Sequence, residues 1–259
     1  MKIISIVIVL LIFNHSIDNI VAYRRDHRFQ RYSTSGPSKA YKSLIGLYSQ
    51  NSNFGQLVQH VNSDKSITPQ IIMNNNHCIP WIGFGTWQLG NNTNTIKNII
   101  RQAIDAGYRL IDTAYIYNTE EGIGLALKDA FASGKLKRDD VFITTKVWLN
   151  HFSKPKVLQS IRDSLRKLKL NQVDLVLMHY PTGFKDGPDN YPKYPNGTII
   201  PRTWQKDAYL ETWQAMEDAH KLGLTRSIGV SNFNQEQIWK LLLNARIKPV
   251  INQVSSINI

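Results

Sequence analysis

From about residue 82 to residue 254 the chain repeats one pattern, a short apolar run followed by a segment with apolar residues every third or fourth position. Apolar runs begin at 82, 109, 141, 173, 226 and 249, and their length and β-branched content predict strands. Between them, Thr95–Ala106, Glu120–Ala132, Pro155–Leu168, Asp207–Leu222 and Gln235–Leu243 carry the 3.6-residue period of amphipathic helices. In the first of these, Ile96, Ile99, Ile100, Ala103 and Ile104 share one face, and Gly107, Gly134 and Gly223 are placed to stop three of the helices. Strict alternation requires parallel strands joined by right-handed crossovers. A doubly wound sheet and a (β/α)8 barrel of the TIM type both satisfy that rule. The doubly wound fold calls for G-x-G-x-x-G after its first strand, and "GFGTWQLG" at 83–90 has Gln88 where the third glycine belongs. The barrel is therefore favoured, with about six of its eight βα units present.

Ahead of this repeat, "IIMNNNHCIPW" at 71–81 predicts a hairpin, two apolar pairs around an Asn-rich turn. Residues 23–70 are polar and basic without sustained period, and read as a disordered leader. Seven basic residues against two acidic ones in that leader account for +5 of the net +12. The rest is spread over the remaining residues with no dense basic run, so an anionic ligand fits and a nucleic-acid groove is not indicated. "MKIISIVIVLLIF" is too short to span a bilayer and long enough for a signal-peptide core, so residues 1–22 admit a secretory reading. The single cysteine, Cys78, argues the other way, toward a reducing compartment. Asn91 and Asn196 lie in N-x-[ST] triplets, which are common by chance.

Several expected strands end on groups that a bare core avoids: Asp112, Lys146, His179, Ser231–Asn232 and Asn252–Gln253. Asp112, Lys146 and His179 are spaced 34 and 33 residues apart, close to one βα unit each, so adjacent barrel strands can gather them at one rim. Tyr117 lies in the loop just beyond Asp112. Singly, each has an ordinary explanation: a snorkelling lysine, a capping aspartate, a hydrogen-bonded histidine, a packed tyrosine. Together at repeat spacing they make a proton-transfer group. An ammonium lowers a phenol's pKa, a carboxylate keeps the ammonium charged, and a histidine orients a carbonyl oxygen. Proton delivery to a carbonyl needs a hydride donor, which points to a nicotinamide. The amides and hydroxyl of Ser231, Asn232 and Gln253 suit a carboxamide. No metal-ligand cluster is apparent.

Those residues resemble the aldo-keto reductase family. "GYRLIDTAYIYNTEEGIG" resembles its first signature, "LVLMHYPTGFKDG" and "ETWQAMEDAHKLGLTRSIGVSNF" its second region, and "ITTKVW" carries the expected lysine. Over about residues 71–256 the resemblance implies Tyr117 as general acid, Lys146 lowering its pKa, Asp112 paired to Lys146, and His179 orienting substrate. It implies a cofactor site of Thr86, Trp87, Asp112, Ser231, Asn232 and Gln253, and a substrate wall of Trp87, Trp148, His179 and Tyr180. The expected partners are NADP(H) and a small aldehyde or ketone, with no nucleic acid and no stable membrane insertion, in a cytosolic monomer. Tyr180 stands where relatives often have tryptophan. "NQVSSINI" drops an acidic residue and ends before the last two strands and the phosphate-gripping Lys-Ser…Arg loop, so a fragment, a splice product or a misassembled gene model is expected. A catalytically impaired or nucleotide-binding regulatory protein on the same scaffold is the alternative.

Overall fold

The structure is a computed structural model that describes residues 9–12, 70–203 and 207–254. Of the proposed leader at 23–70 only Gln70 is described, as the first residue of a strand, and residues 23–69 lie outside the described residues with the rest of the proposed signal segment. Within that segment Val9–Ile12 forms strand β1. The hairpin follows as β2 (Gln70–Ile72) and β3 (Cys78–Pro80), antiparallel with Ile71 opposite Ile79. Its turn is closed by the Met73 amide on the His77 carbonyl, 2.9 Å, with Asn76 at φ 65°. Asparagine is one of the few residues that tolerates that left-handed backbone.

The βα repeat then runs β4 (Phe84–Gly85), α1 (Thr93–Asp105), β5 (Leu110–Asp112), α2 (Glu120–Ala132) and β6 (Phe142–Val147). It continues through α3 (Lys154–Leu168), β7 (Val173–Met178), α4 (Tyr209–Lys221), β8 (Thr225–Ser231), α5 (Gln235–Asn244) and β9 (Ile251–Val254). Strands β4 to β9 are parallel neighbours in chain order, and β1 joins the far side of β9 antiparallel, Leu10 opposite Gln253. All six expected strands and five helices are present, as a curled parallel sheet that fits a partial (β/α)8 barrel.

Boundaries moved for local reasons. The Asn92 side chain accepts from the Thr95 amide at 2.9 Å, so α1 begins two residues before the apolar pattern does. Asp207, expected to open α4, has φ 66° and lies outside the helix that starts at Tyr209. The strand expected from Ile82 is only two residues long; Ile82 is 55% exposed, and Gln88 at φ 63° turns the chain away. Gly107 and Gly223, at φ 95° and 73°, do stop α1 and α4.

Alternation along the strands divides the core in two. One face of the sheet packs Ile111, Ile143, Val176, Met178, Ile228 and Val230 against the helices. The opposite face carries Leu110, Phe142, Leu175, Leu177 and Ile251, and Met73 and Ile79 of the hairpin pack among them. The hairpin therefore plugs the floor of the curl, and two side chains fasten it there. Asn74 Nδ2 donates to the Pro249 carbonyl at 3.0 Å and Asn75 Nδ2 to Ser227 Oγ at 2.8 Å.

Helices α2 and α3 meet where Gly124 lies against the Lys167–Leu168 backbone, and a Cβ at that position would collide with the Lys167 carbonyl oxygen. Gly124→Ala should therefore lower stability by about 1–3 kcal/mol, because rigid backbone must move. A urea midpoint unchanged from the parent would refute the close approach.

Candidate active site

The inward parity that gives Leu110, Phe142, Leu175 and Ile251 their floor positions also selects residues nearer the strand C-termini. Even steps along each strand lead to Asp112, Lys146, His179, Ser231 and Gln253. Asp112 and Gln253, from strands on opposite sides of the curl, line one cavity with Thr144, Leu110 and Ile251. Spacing of one βα unit and a two-residue pleat thus bring the sequence-selected groups to one end of one face.

Lys146 lies at the centre. Its Nζ donates to Asp112 Oδ1 and Oδ2, both at 2.8 Å, and to the Thr113 carbonyl at 3.0 Å. Both side chains are almost fully buried, with exposures of 1% and 4%. Burial alone would lower the pKa of the ammonium, but Asp112 and then Tyr117 offset it, and the Lys146 pKa is raised. The same ammonium is 5.0 Å from the centre of the Tyr117 ring. Tyr117 is carried by a single 3-10 turn, Tyr115–Tyr117, and meets the His179 ring edge-on at 5.7 Å.

Two expectations about this group are refined. Lys146 does pull the Tyr117 pKa down, yet burial raises it more and Asp112 adds to the rise, so the phenol ends above its ordinary value. His179 is 7% exposed, and burial, with the Lys146 charge second, drives its pKa down to about 2. It is neutral at every physiological pH. Its Nδ1 is buried without a hydrogen-bond partner among the described residues.

The aromatic wall is assembled around these groups. Trp87, 45% exposed, lies 4.9 Å from Tyr117. Trp148 meets His179 edge-on at 5.0 Å, and Tyr180 stacks on His179 at 5.4 Å. The loop after His179 folds back over Trp148, whose Nε1 donates to the Asn190 carbonyl at 2.8 Å. Phe184 and Tyr191 of that loop contact the Trp148 ring edge-on.

The remaining sequence-selected residues divide by what they touch. Ser231 Oγ donates to the Gln253 carbonyl at 2.8 Å, and Asn232 Nδ2 donates to the His179 carbonyl and to Ser231 Oγ, both at 3.1 Å. Asn232, at φ 61°, therefore fixes the backbone that aims His179. Asn252 points to the outer face, where it exchanges hydrogen bonds with the Phe233 backbone, so the structure separates it from its neighbour Gln253. Thr86 has a fully buried hydroxyl that donates to the Asp112 carbonyl at 3.0 Å. Sequence reasoning passed over Thr113 and Thr119, which bond into the same place. Small hydroxyls inside a strand-end run carry no spacing signal of their own.

A family model described as the aldo/keto reductase family matches residues 81–257. The chain belongs to that family. It is 41% identical to aldo-keto reductase AKR2E4 of Bombyx mori over 192 residues, 72% of this chain and 57% of the relative. It is also 41% identical to aldo-keto reductase family 1 member C4 of Homo sapiens over 189 residues, 71% of this chain and 57% of that one. Among solved structures, the aldose reductase from Schistosoma japonicum superposes with a TM-score of 0.65 at 39% identity, covering 70% of this chain and 58% of the other. The Bombyx mori AKR2E4 structure in complex with NADP gives 0.62 at 39% identity, covering 72% and 58%. The chain thus spans somewhat over half the length of the relatives it matches. Among the described residues no group of three or more metal-ligating side chains occurs, and no helix is long and apolar enough to cross a membrane.

The buried histidine sets a stability test. Its folded pKa lies below its unfolded value of 6.5, so its support for the fold is complete above about pH 6.5 and is lost as pH falls toward about 2. Below pH 6.5 the parent should lose stability more steeply than His179→Gln, by at most about 1.4 kcal/mol per pH unit. Parallel denaturation profiles for the two proteins would contradict the buried neutral imidazole.

Proposed function

We propose that this chain carries the catalytic half of an NADP(H)-dependent reductase that converts aldehydes or ketones to alcohols. The observation that supports the reading most strongly is the buried ammonium of Lys146, held by Asp112 at 2.8 Å and lying 5.0 Å from the Tyr117 ring. A structural role alone gives no reason to bury this pair beneath a phenol at a strand-end rim.

The residues at the rim fit a nicotinamide. Gln253 is half-buried on the inner face and its side-chain amide has no partner among the described residues, so it can match a carboxamide donor to acceptor. Ser231 and Asn232 stand next to it through the Gln253 carbonyl. These three, with Trp87 beside Tyr117, would hold the ring. When bound, the reduced nicotinamide supplies the hydride for the carbonyl carbon.

The chain's own groups handle the proton. Tyr117 is the general acid, and its raised pKa keeps it protonated and ready to donate across the neutral range. As the carbonyl oxygen gains negative charge, the nearby Lys146 ammonium stabilises the phenolate left behind. Neutral His179 offers a ring N–H to the same oxygen and orients it, with its backbone anchored by Asn232. Trp87, Trp148 and Tyr180 exclude water and favour an apolar or aromatic group on the substrate.

We assign the protein to the cytosol, the compartment its family membership suggests. We assign it as a monomer.

Tyr117→Phe should cut NADPH-dependent reduction of a nitrobenzaldehyde by about 10²–10⁴-fold, the usual share of a general acid, while the circular dichroism spectrum stays unchanged. Undiminished turnover would remove Tyr117 from the mechanism. NADPH binding without turnover in the parent would favour a nucleotide-binding protein instead.

The raised phenol also predicts a direction. Reduction should hold its rate from neutral pH up to the Tyr117 pKa, whereas alcohol oxidation, which needs the phenolate, should rise with pH over the same range. A reduction rate that falls between pH 6 and 8 would show that another group donates the proton.

A further inference from the structure

Helix α2 begins with an unusual cap. Thr119 occupies the N-cap position, where a threonine hydroxyl ordinarily accepts from an amide of the first turn, yet it makes no capping bond. Its hydroxyl turns the other way, to Thr86 Oγ1 at 3.0 Å and Thr113 Oγ1 at 2.9 Å. All three threonines are fully buried.

The direction of these bonds follows from the proton count. Thr86 has one hydroxyl proton, and it goes to the Asp112 carbonyl at 3.0 Å, since a carbonyl can only accept. Thr119 must then donate to Thr86, and Thr113 must donate to Thr119. The chain runs from Thr113 through Thr119 and Thr86 to the Asp112 carbonyl. Asp112 and Thr113 share a peptide bond, so the hydroxyls close a ring around that one peptide. The Thr86 amide adds a further bond to the Asp112 carbonyl at 3.0 Å. This peptide leads to every acceptor that Lys146 uses, namely both Asp112 carboxylate oxygens and the Thr113 carbonyl.

We infer that Thr119 is a positioning residue of the proposed reductase, closing a ring of buried hydroxyls that fixes the Asp112–Thr113 peptide and thereby the Lys146 ammonium beneath Tyr117. The inference rests on the reductase reading for its kinetic consequence and on the ring alone for its structural one. The ring adds the start of α2 to the paired ends of β4 and β5, where Gly85 already lies opposite Asp112. It also gives Thr86 a role set by its hydroxyl and independent of any bound cofactor. A buried ring of polar groups rigidifies only when every member is satisfied, so loss of the central hydroxyl should loosen the whole peptide.

The test uses the full chain and isosteric changes. Thr119→Val should lower kcat for NADPH-dependent aldehyde reduction by about ten- to a hundredfold with KM nearly unchanged, the scale expected when a reacting group is slightly misplaced. Thr119→Ser, which keeps the hydroxyl, should stay close to the parent. Independently of turnover, the phenolate absorbance of Tyr117 can be titrated by difference against a Tyr117→Phe partner in each background. That midpoint should rise in Thr119→Val by about half a pH unit or more, because the ammonium is less well held against the phenol, and should not move in Thr119→Ser. A lower melting temperature with the titration unmoved would mean that the ring is merely structural and would overturn the inference. So would a serine variant as impaired as the valine one. A parent without turnover would overturn the reductase reading, while the titration would still decide the role of Thr119. If Thr119→Val does not fold, Thr113→Val removes the first donor of the same ring and must give the same shift.

Discussion

The ammonium of Lys146 has no water to solvate it and must be held wholly by the chain. That requirement organises the surrounding architecture. Three acceptors from two consecutive residues of β5 and its end satisfy it, and they reach it only because β5 and β6 are in register, with Asp112 opposite Thr144 and Lys146 two residues beyond. Removing either partner of such a pair typically costs 3–5 kcal/mol, since a charge is then stranded in a low dielectric. A well-packed apolar pair could serve stability as well or better. The pair is therefore more informative about chemistry than about folding, and in the proposed mechanism Tyr117 above it is the group that benefits.

The inner face of the sheet shows how the barrel accommodates such groups. Toward the strand N-termini it is apolar, and the β2–β3 hairpin closes it with Met73 and Ile79. Toward the C-termini β5, β6, β7 and β9 follow their inward apolar residues with Asp112, Thr144, His179 and Gln253, so the face changes from packing to chemistry within two residues, while β8 is small or polar along it with Ser227, Gly229 and Ser231. The helices pack against the other face and, apart from the Thr119 cap of α2, are independent of this change. That independence allows a stable outer core and a polar inner rim to coexist along the same strands. It also explains why Asn252, one residue from Gln253, has no place at the rim: the pleat turns it outward to clamp the Phe233 backbone.

Much of this was legible in the sequence because it depends on period and spacing. Apolar runs and 3.6-residue patterns located every strand and helix of the repeat, and intervals of 34 and 33 residues identified Asp112, Lys146 and His179 as neighbours. What escaped depends on backbone dihedrals and on bonds between small side chains. The shortness of β4 follows from exposed Ile82 and left-handed Gln88, and the late start of α4 from left-handed Asp207; none of these residue types announces that conformation. The threonine ring escaped for a related reason. Threonine is common in strands and at helix N-termini, so three of them raise no expectation until their oxygens are seen within 3.0 Å of one another in sequence.

The balance at Tyr117 could not be read from residue types either, because two opposing effects act on it at close range. An adjacent ammonium favours the phenolate, as the sequence suggested, but enclosing the ring beneath Trp87 and against His179 removes the water that would solvate that anion. Burial prevails, and the phenol is held in its protonated form. For the proton donor proposed above this is the useful outcome, since the acid would be fully loaded before a carbonyl arrives. In that proposal the ammonium contributes later, when the proton has moved and the anion it stabilises has formed. In the proposed mechanism Lys146 therefore acts chiefly on the transition state and little on the resting phenol, which is the condition under which a charge accelerates a reaction.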